Sequence, residues 1–331
     1  MSTSIPRVLV VGAGAVGQVY GQALQAGGAT VVFYAREKYR ASLEDEEGLP
    51  LRVLNRPRGQ QLQRWRPDGV VCTADEVAAQ HFDVVWLCVS SPALRLPWFD
   101  ALARSVGEAV VVSLQPGLID TAFMHARVPP ERLVMGMIPY IAWSSPLPDQ
   151  QPLNGDPALT VWHPPLSATP LSGPPALVAG VEASLRAGGL SARVVDDATV
   201  TGSFGSALLL SLIAGLEAAD WRFATLRTRP HATRALASAH EGLAIAAAVH
   251  GEKVPWFMRA VGPAVLSGVT RLAPWVVPFP LETYLAYHFT KVGEQTRQSL
   301  ARWREEGTRL GFSVTAIAAL EQALAERDGV G

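Results

Sequence analysis

The sequence predicts an α/β fold, a doubly wound parallel sheet followed by an all-α C-terminal domain. Three observations predict it. Apolar runs of strand length recur at residues 7–11, 30–34, 69–72, 83–89, 109–114 and 133–138, the pattern of strands buried on both faces. Helix-compatible stretches at 76–80, 97–106 and 119–126 separate several of them, and such alternation builds parallel sheets. Beyond Asp196-Asp197 almost everything reads as helix, and the run from Ser206 to Ala219 is apolar nearly all round, as in a helix buried on every side.

The first unit is Arg7-Val8-Leu9-Val10-Val11, a glycine-rich turn, a helical segment stopping at Gly27-Gly28, and a second apolar run from Thr30 to Tyr34. That is a βαβ unit. From Trp143 to Pro175 the composition turns to Pro, Ser and Gly, and irregular connections are expected there with one strand at 158–162. A helix over 174–187 and a strand over 191–195 close the sheet domain. Two domains are expected, 1–197 and 198–331, because 331 residues exceed the usual size of one core.

Bulk properties narrow the partners. The net charge is −1 with 17% charged residues, so neither nucleic acid nor an anionic membrane is expected, and a small molecule is. Mean hydropathy is +0.18. Even so, the long low-charge stretch from Val254 to Phe289 is broken by Pro255, Pro263, Pro274, Pro278 and Pro280, which leaves no run of about 20 apolar residues to span a bilayer. Its surplus apolar surface suggests a homodimer built on the helical domain. Cys72 and Cys88 sit in apolar runs and form no disulfide framework. The N-terminus lacks a separate cleavable core, so a reducing, cytoplasmic setting is expected. Two cysteines and seven scattered histidines give no metal-ligand spacing, and no GxSxG elbow occurs.

The chemistry-bearing motif is Gly12-Ala13-Gly14-Ala15-Val16-Gly17, which closes a predicted strand and opens a predicted helix. In that context Gly12 permits the tight turn, Gly14 lets a diphosphate approach the backbone, and Gly17 lets the helix lie close to the sheet. The phosphates are then expected at the helix N-terminus. At the tip of the second strand, where an NAD site would carry a carboxylate, stands Arg36. A guanidinium suits a 2′-phosphate, so NADP(H) is the expected cofactor. Lys38 and Arg40 either add to that charge or form a solvated basic face.

The glycine turn, Arg36 and the segment Val111-Val112-Ser113-Leu114-Gln115-Pro116-Gly117 together resemble the ketopantoate reductase family. The likeness runs over most of the chain, including Asp196-Asp197 and Gly311-Phe312-Ser313-Val314. The resemblance implies a Rossmann domain joined to an all-helical domain of the 6-phosphogluconate dehydrogenase C-terminal type, and reduction of a 2-keto acid by NADPH. It also implies departures. Gln115-Pro116-Gly117 stands where the family has Gln-Asn-Gly, Val89-Ser90 where it has Val-Lys, and Ser206 where it has its catalytic lysine. Only Lys38, Lys253 and Lys291 are lysines, against 25 arginines, so the usual cationic acid is missing and ketopantoate itself is not the expected substrate.

A replacement is sought in the segment from Thr283 to Gln295. Treated as one helix, it places Tyr284, His288, Lys291 and Gln295 on one face, with Thr283, Tyr287 and Glu294 flanking. The reading is either a solvated stripe or the acid–base machinery. In the second case Lys291 or His288 donates the proton. The resemblance assigns substrate contacts to Thr283 and to Gln295 or, one residue earlier, Glu294. The nicotinamide is expected against Ser90, Gln115, Ser206 and this stripe, in a cleft at the carboxyl end of the sheet. Tyr140 either reaches that cleft or packs. The expected function is an NADPH-dependent oxidoreductase reducing a C=O or C=N group of a rather apolar small molecule, reductive amination included. The alternative is an NADP(H)-binding protein without hydride transfer.

Overall fold

The structure is a computed structural model, and it describes residues 5–115, 117 and 120–329. Pro116, one of the departures noted above, lies outside the described residues. The chain divides into two compact units, residues 1–146 with 150–199, and 147–149 with 200–331.

Among the described residues the N-terminal unit contains twelve strands. They are β1 (Arg7–Val11), β2 (Thr30–Tyr34), β3 (Leu49–Val53), β4 (Leu62–Trp65), β5 (Gly69–Val71) and β6 (Val84–Leu87), then β7 (Val110–Ser113), β8 (Leu133–Gly136), β9 (Ile141–Ser145), β10 (Ala158–Trp162), β11 (Thr169–Ser172) and β12 (Ala192–Val194). Eight form the main sheet in the order β12-β11-β8-β7-β6-β1-β2-β5. The strands from β5 to β8 are parallel, and β11 joins β8 antiparallel. β1 sits between β2 and β6, the point where strand order reverses and where such sheets bind ligands. Alternate residues explain the wholly apolar strands. Val8 and Val10 enter one core with Phe33, Trp86 and Val112, whereas Leu9 and Val11 enter the opposite one with Val32, Val85 and Leu87.

Helix α1 (Ala15–Ala26) follows β1, and α2 (Pro97–Ser105) and α3 (Pro175–Ala187) also pack in this unit. The expectation of irregular chain from Trp143 to Pro175 is corrected. β9, β10 and β11 occupy much of it, and β9 and β10 join β3 and β4 in a second sheet of order β4-β3-β10-β9. A buried ion pair pins this sheet. Arg52 donates to Asp156 at 2.6 Å, to the Ser145 hydroxyl at 3.0 Å and to the Asn154 carbonyl at 2.7 Å.

The C-terminal unit is helical. It contains the body of α4 (Ala198–Glu217), α5 (Arg229–His250), α6 (Pro263–Val276), α7 (Leu281–Lys291), α8 (Gly293–Arg309) and α9 (Thr315–Asp328). Ile213, Leu216, Leu226, Leu236 and Leu266 share its core. The expectation of a helix buried on every side is corrected for α4, where Leu209 is exposed. Among the described residues α4 is the one helix long and apolar enough to cross a membrane, and 56% of that window is buried, as in a core helix. The pair α6 and α7 meets the same criterion only jointly, across a 104° bend.

Candidate functional site

The N-terminal unit builds a dinucleotide turn at the end of β1. The Gly12 N–H donates to the Tyr34 carbonyl at 2.9 Å, tying the turn to the tip of β2. Gly12 has φ +98°, and a Cβ there would lie 2.6 Å from Val89 Cγ1, so both conformation and space require glycine. A Cβ on Gly17 would lie 1.9 Å from the Gly12 carbonyl oxygen, which is why α1 can start so close to the sheet. A Cβ on Gly14, by contrast, would meet nothing within 4 Å. α1 has no side-chain cap and no acidic residue in its first turn, so its leading N–H groups and dipole face outward for an anion. The Gln18 amide donates to the Ala13 carbonyl at 3.0 Å and steadies the turn.

At the tip of β2, Arg36 is exposed and donates to the Tyr39 hydroxyl at 2.8 Å, with its guanidinium 5.0 Å from the centre of that ring. Lys38 sits over the same ring at 4.9 Å. The two cations hold the Tyr39 hydroxyl below the usual phenol range, Lys38 most of all. No carboxylate pairs with Arg36 among the described residues, because Glu37 and Glu76 are both taken by Arg40. Arg40 is therefore a structural residue and adds no free charge to the site. Tyr39 was not legible as a site residue; its only signal is its spacing of three from Arg36 on a short turn.

Gln115 is buried, and its amide donates to the Leu87 carbonyl at 2.9 Å and the Val89 carbonyl at 2.6 Å while accepting from Ser113 at 2.8 Å. Its side chain thus ties the end of β7 to the end of β6. Ser90 is exposed there and starts a short helix over 91–94 without capping it. Beside it lies a cluster the sequence reading missed. Ser91 and Arg95 both donate to buried Asp120, at 2.5 and 2.7 Å. Tyr140 packs between Tyr20 and His163, and its hydroxyl donates to the Val16 carbonyl at 3.2 Å, so packing is its role.

In the C-terminal unit the stripe is only partly assembled. Tyr284 and His288 stack with centroids 5.4 Å apart, and Phe289 meets the His288 ring edge-on at 4.9 Å. Burial, and then Lys291, push the His288 imidazole below its ordinary pKa. Thr283 is half-buried on α7 and Lys291 is exposed at its end. The single continuous helix is corrected. It breaks at Val292 (φ −113°, ψ 19°), so Glu294 and Gln295 begin α8, where Glu294 accepts from Gln298 at 3.0 Å. Ser206 is half-buried on α4. Among the described residues no group of three His, Cys, Asp or Glu could hold a metal.

The sheet order and glycine turn define the class, a Rossmann-type dinucleotide-binding domain with a separate helical unit. Residues 8–146 match the family described as ketopantoate reductase PanE/ApbA, an NAD(P)-dependent oxidoreductase family, so the resemblance read from the sequence holds for that domain. No curated protein matches the chain. Several solved structures share its fold over nearly its whole length. A PanE/ApbA family ketopantoate reductase from Ralstonia eutropha JMP134 has TM-score 0.70 at 19% identity, covering 96% of each chain. A 2-dehydropantoate 2-reductase from Geobacter metallireducens GS-15 has TM-score 0.69 at 19% identity, covering 97% of this chain and 99% of that one. A D-mandelate dehydrogenase bound to NADH and anilino(oxo)acetate has TM-score 0.72 at 14% identity, covering 98% of each.

Proposed function

We propose that the chain is an NADP(H)-dependent reductase acting on the C=O or C=N group of a rather apolar small molecule other than ketopantoate. One observation carries the cofactor choice: Arg36, backed by Tyr39 and joined by Lys38, stands at the tip of β2 with no carboxylate partner among the described residues. The fold neighbour with NADH bound leaves that choice open; Arg36 is the feature of this chain that favours the phosphorylated form. The backbone from Gly12 to Gly17 and the first turn of α1 would receive the diphosphate. When bound, the nicotinamide supplies the hydride. Gln115 acts as a positioning residue at the strand ends, with Ser90 exposed beside it.

The proposed acid–base and substrate residues are Ser206, Thr283, His288, Lys291 and Glu294. Because His288 is held neutral, Lys291 is the preferred proton donor. The test follows NADPH oxidation with ketopantoate and with a panel of apolar 2-keto acids and imines. Turnover of an apolar member is expected, lowered about 10²–10⁴-fold by Lys291→Ala with NADPH affinity unchanged. Ketopantoate turnover at about 1–10³ per second would contradict the reading. NADPH binding with no turnover of any compound would favour the non-catalytic alternative.

We propose further that the C-terminal unit pairs with a second copy of the chain. Val265, Val269, Leu272 and Val276 are all exposed and share one face of α6, with Trp275 beside them at 89% exposure and Trp256 nearby in sequence at 76%. Large aromatic side chains bury about 150–250 Å² each, so this surface approaches the roughly 800 Å² per partner of a stable interface. Light scattering at micromolar concentration should give twice the 35.3 kDa chain mass, and a monomer would contradict it.

A further inference from the structure

We infer that the N-terminal unit holds a second small-molecule site, a cavity that takes a small carboxylic acid with an apolar body and adjusts cofactor affinity through α1. The cavity measures 310 Å³, at the small end of ligand pockets. Its apolar wall includes Val19 of α1, Leu51 of β3 and Val161 of β10. Among its polar side chains, those of Asn55, Arg56, Tyr140 and Thr169 are hydrogen-bonded within the chain, whereas those of Gln22, His163, Ser167 and Ser191 form no hydrogen bond among the described residues. Convergent polar groups left unspent beside an apolar wall are what a ligand site offers.

The lining also selects the sign of the ligand's charge. Among the described residues Arg56 lines the cavity and no Asp or Glu does. The Arg56 guanidinium gives one donor to Gln63 at 2.6 Å and forms no ion pair among the described residues. Arginine donates only, serine hydroxyls and the glutamine amide can donate, and burial holds His163 neutral with one ring N–H to give. Such a set matches a ligand whose polar end accepts, and a carboxylate accepts on both oxygens.

Two features connect this cavity to the dinucleotide turn. Val19, Gln22 and Ala23 line it from one face of α1, the helix whose N-terminus is built for an anion. Tyr140 is another wall, and its hydroxyl holds the Val16 carbonyl at 3.2 Å in the first turn of that helix. A ligand that moves Tyr140 or α1 therefore changes the geometry of the turn. By linkage, cofactor and ligand must then alter each other's affinity equally.

The probe is benzoate, titrated calorimetrically into the full chain with and without NADPH, with benzylamine as the cationic control. Expected are saturable binding of benzoate and none of benzylamine, and at least tenfold weakening by Arg56→Gln, an exposed position whose loss spares the packing. Ser167→Trp, which fills the cavity, should also abolish binding. Saturating benzoate should shift the NADPH dissociation constant severalfold. Absence of benzoate binding, binding unchanged in both variants, or an NADPH affinity indifferent to benzoate would overturn the proposal. Benzoate heats are read first on cofactor-free protein, so failure of the reductase reading and failure of this one are distinguishable.

Discussion

The Gln115 amide donates to the Val89 carbonyl at 2.6 Å, across 26 positions of sequence, and so fastens the end of β7 to the chain leaving β6. The same nitrogen reaches the Leu87 carbonyl at 2.9 Å. Gln115→Leu strands both carbonyls and the Ser113 hydroxyl, and should lower unfolding stability by about 1–3 kcal/mol. Urea melts will show this as a lower midpoint; an unchanged midpoint would mean the bonds are replaced by water.

Arg52 and Asp156 form a pair with side chains 4% and 2% exposed. Burial alone would raise the Asp156 carboxyl, yet the hydrogen bonds from Arg52 and Ser145 hold it below its ordinary value of 3.8. Its contribution is therefore present above pH 3.8 and is lost as pH falls through the lower folded value. Arg52→Leu leaves a buried carboxylate without its partner and should cost about 3–5 kcal/mol. Replacing both residues by apolar ones of similar volume should cost less, and equal losses would refute the pairing argument.

Burial lowers the imidazole pKa of both His163 and His288, and for His288 Lys291 adds to the effect. A depressed histidine favours the neutral form in the fold. Both therefore contribute stability above the ordinary value of 6.5, and this is lost as pH falls below it towards the folded values. Proton NMR titration should place both midpoints below 6.5, with that of His288 rising in Lys291→Met. A midpoint at or above 6.5 for His288 would contradict its burial.

The two thiols should be inert. Burial pushes Cys72 up to about 11, helped by Glu37, and raises Cys88 further. Nucleophilic reactivity follows the thiolate, so iodoacetamide at neutral pH should label neither residue until the protein is unfolded. Rapid labelling of native Cys88 would show an opening of the β6 end absent from the structure.

The central strands of the main sheet were legible because they are buried on two faces, which leaves runs such as Val8 to Val11 with no polar residue to confuse the reading; β11, in a segment rich in Pro, Ser and Gly, was not. In the second sheet only β10 was expected, because β3, β4 and β9 mix polar and apolar residues and β3 contains Pro50. That sheet's cohesion depends on pairs far apart in sequence, such as Leu51 with Leu159. Arg52 looks like a surface residue until Asp156 is brought to it. At the glycine turn, spacing read in its strand-to-helix context located Gly12 and Gly17, because the turn's conformation and the close approach of α1 require glycine there, whereas Arg36 was read from its place after β2. The helix break at Val292 was hidden because no proline precedes it. Helical projection therefore carried Gln295 across the break, onto a helix to which it does not belong.

Cofactor choice is tested most directly by comparing NADPH and NADH binding to the unmutated chain and to Arg36→Ala. NADPH should bind clearly more tightly than NADH to the unmutated chain. Arg36→Ala should erase most of that gap by removing a charge-assisted contact of about 1.5–3 kcal/mol, with NADH affinity nearly unchanged. Equal affinity for the two cofactors in the unmutated chain would contradict a 2′-phosphate held by Arg36.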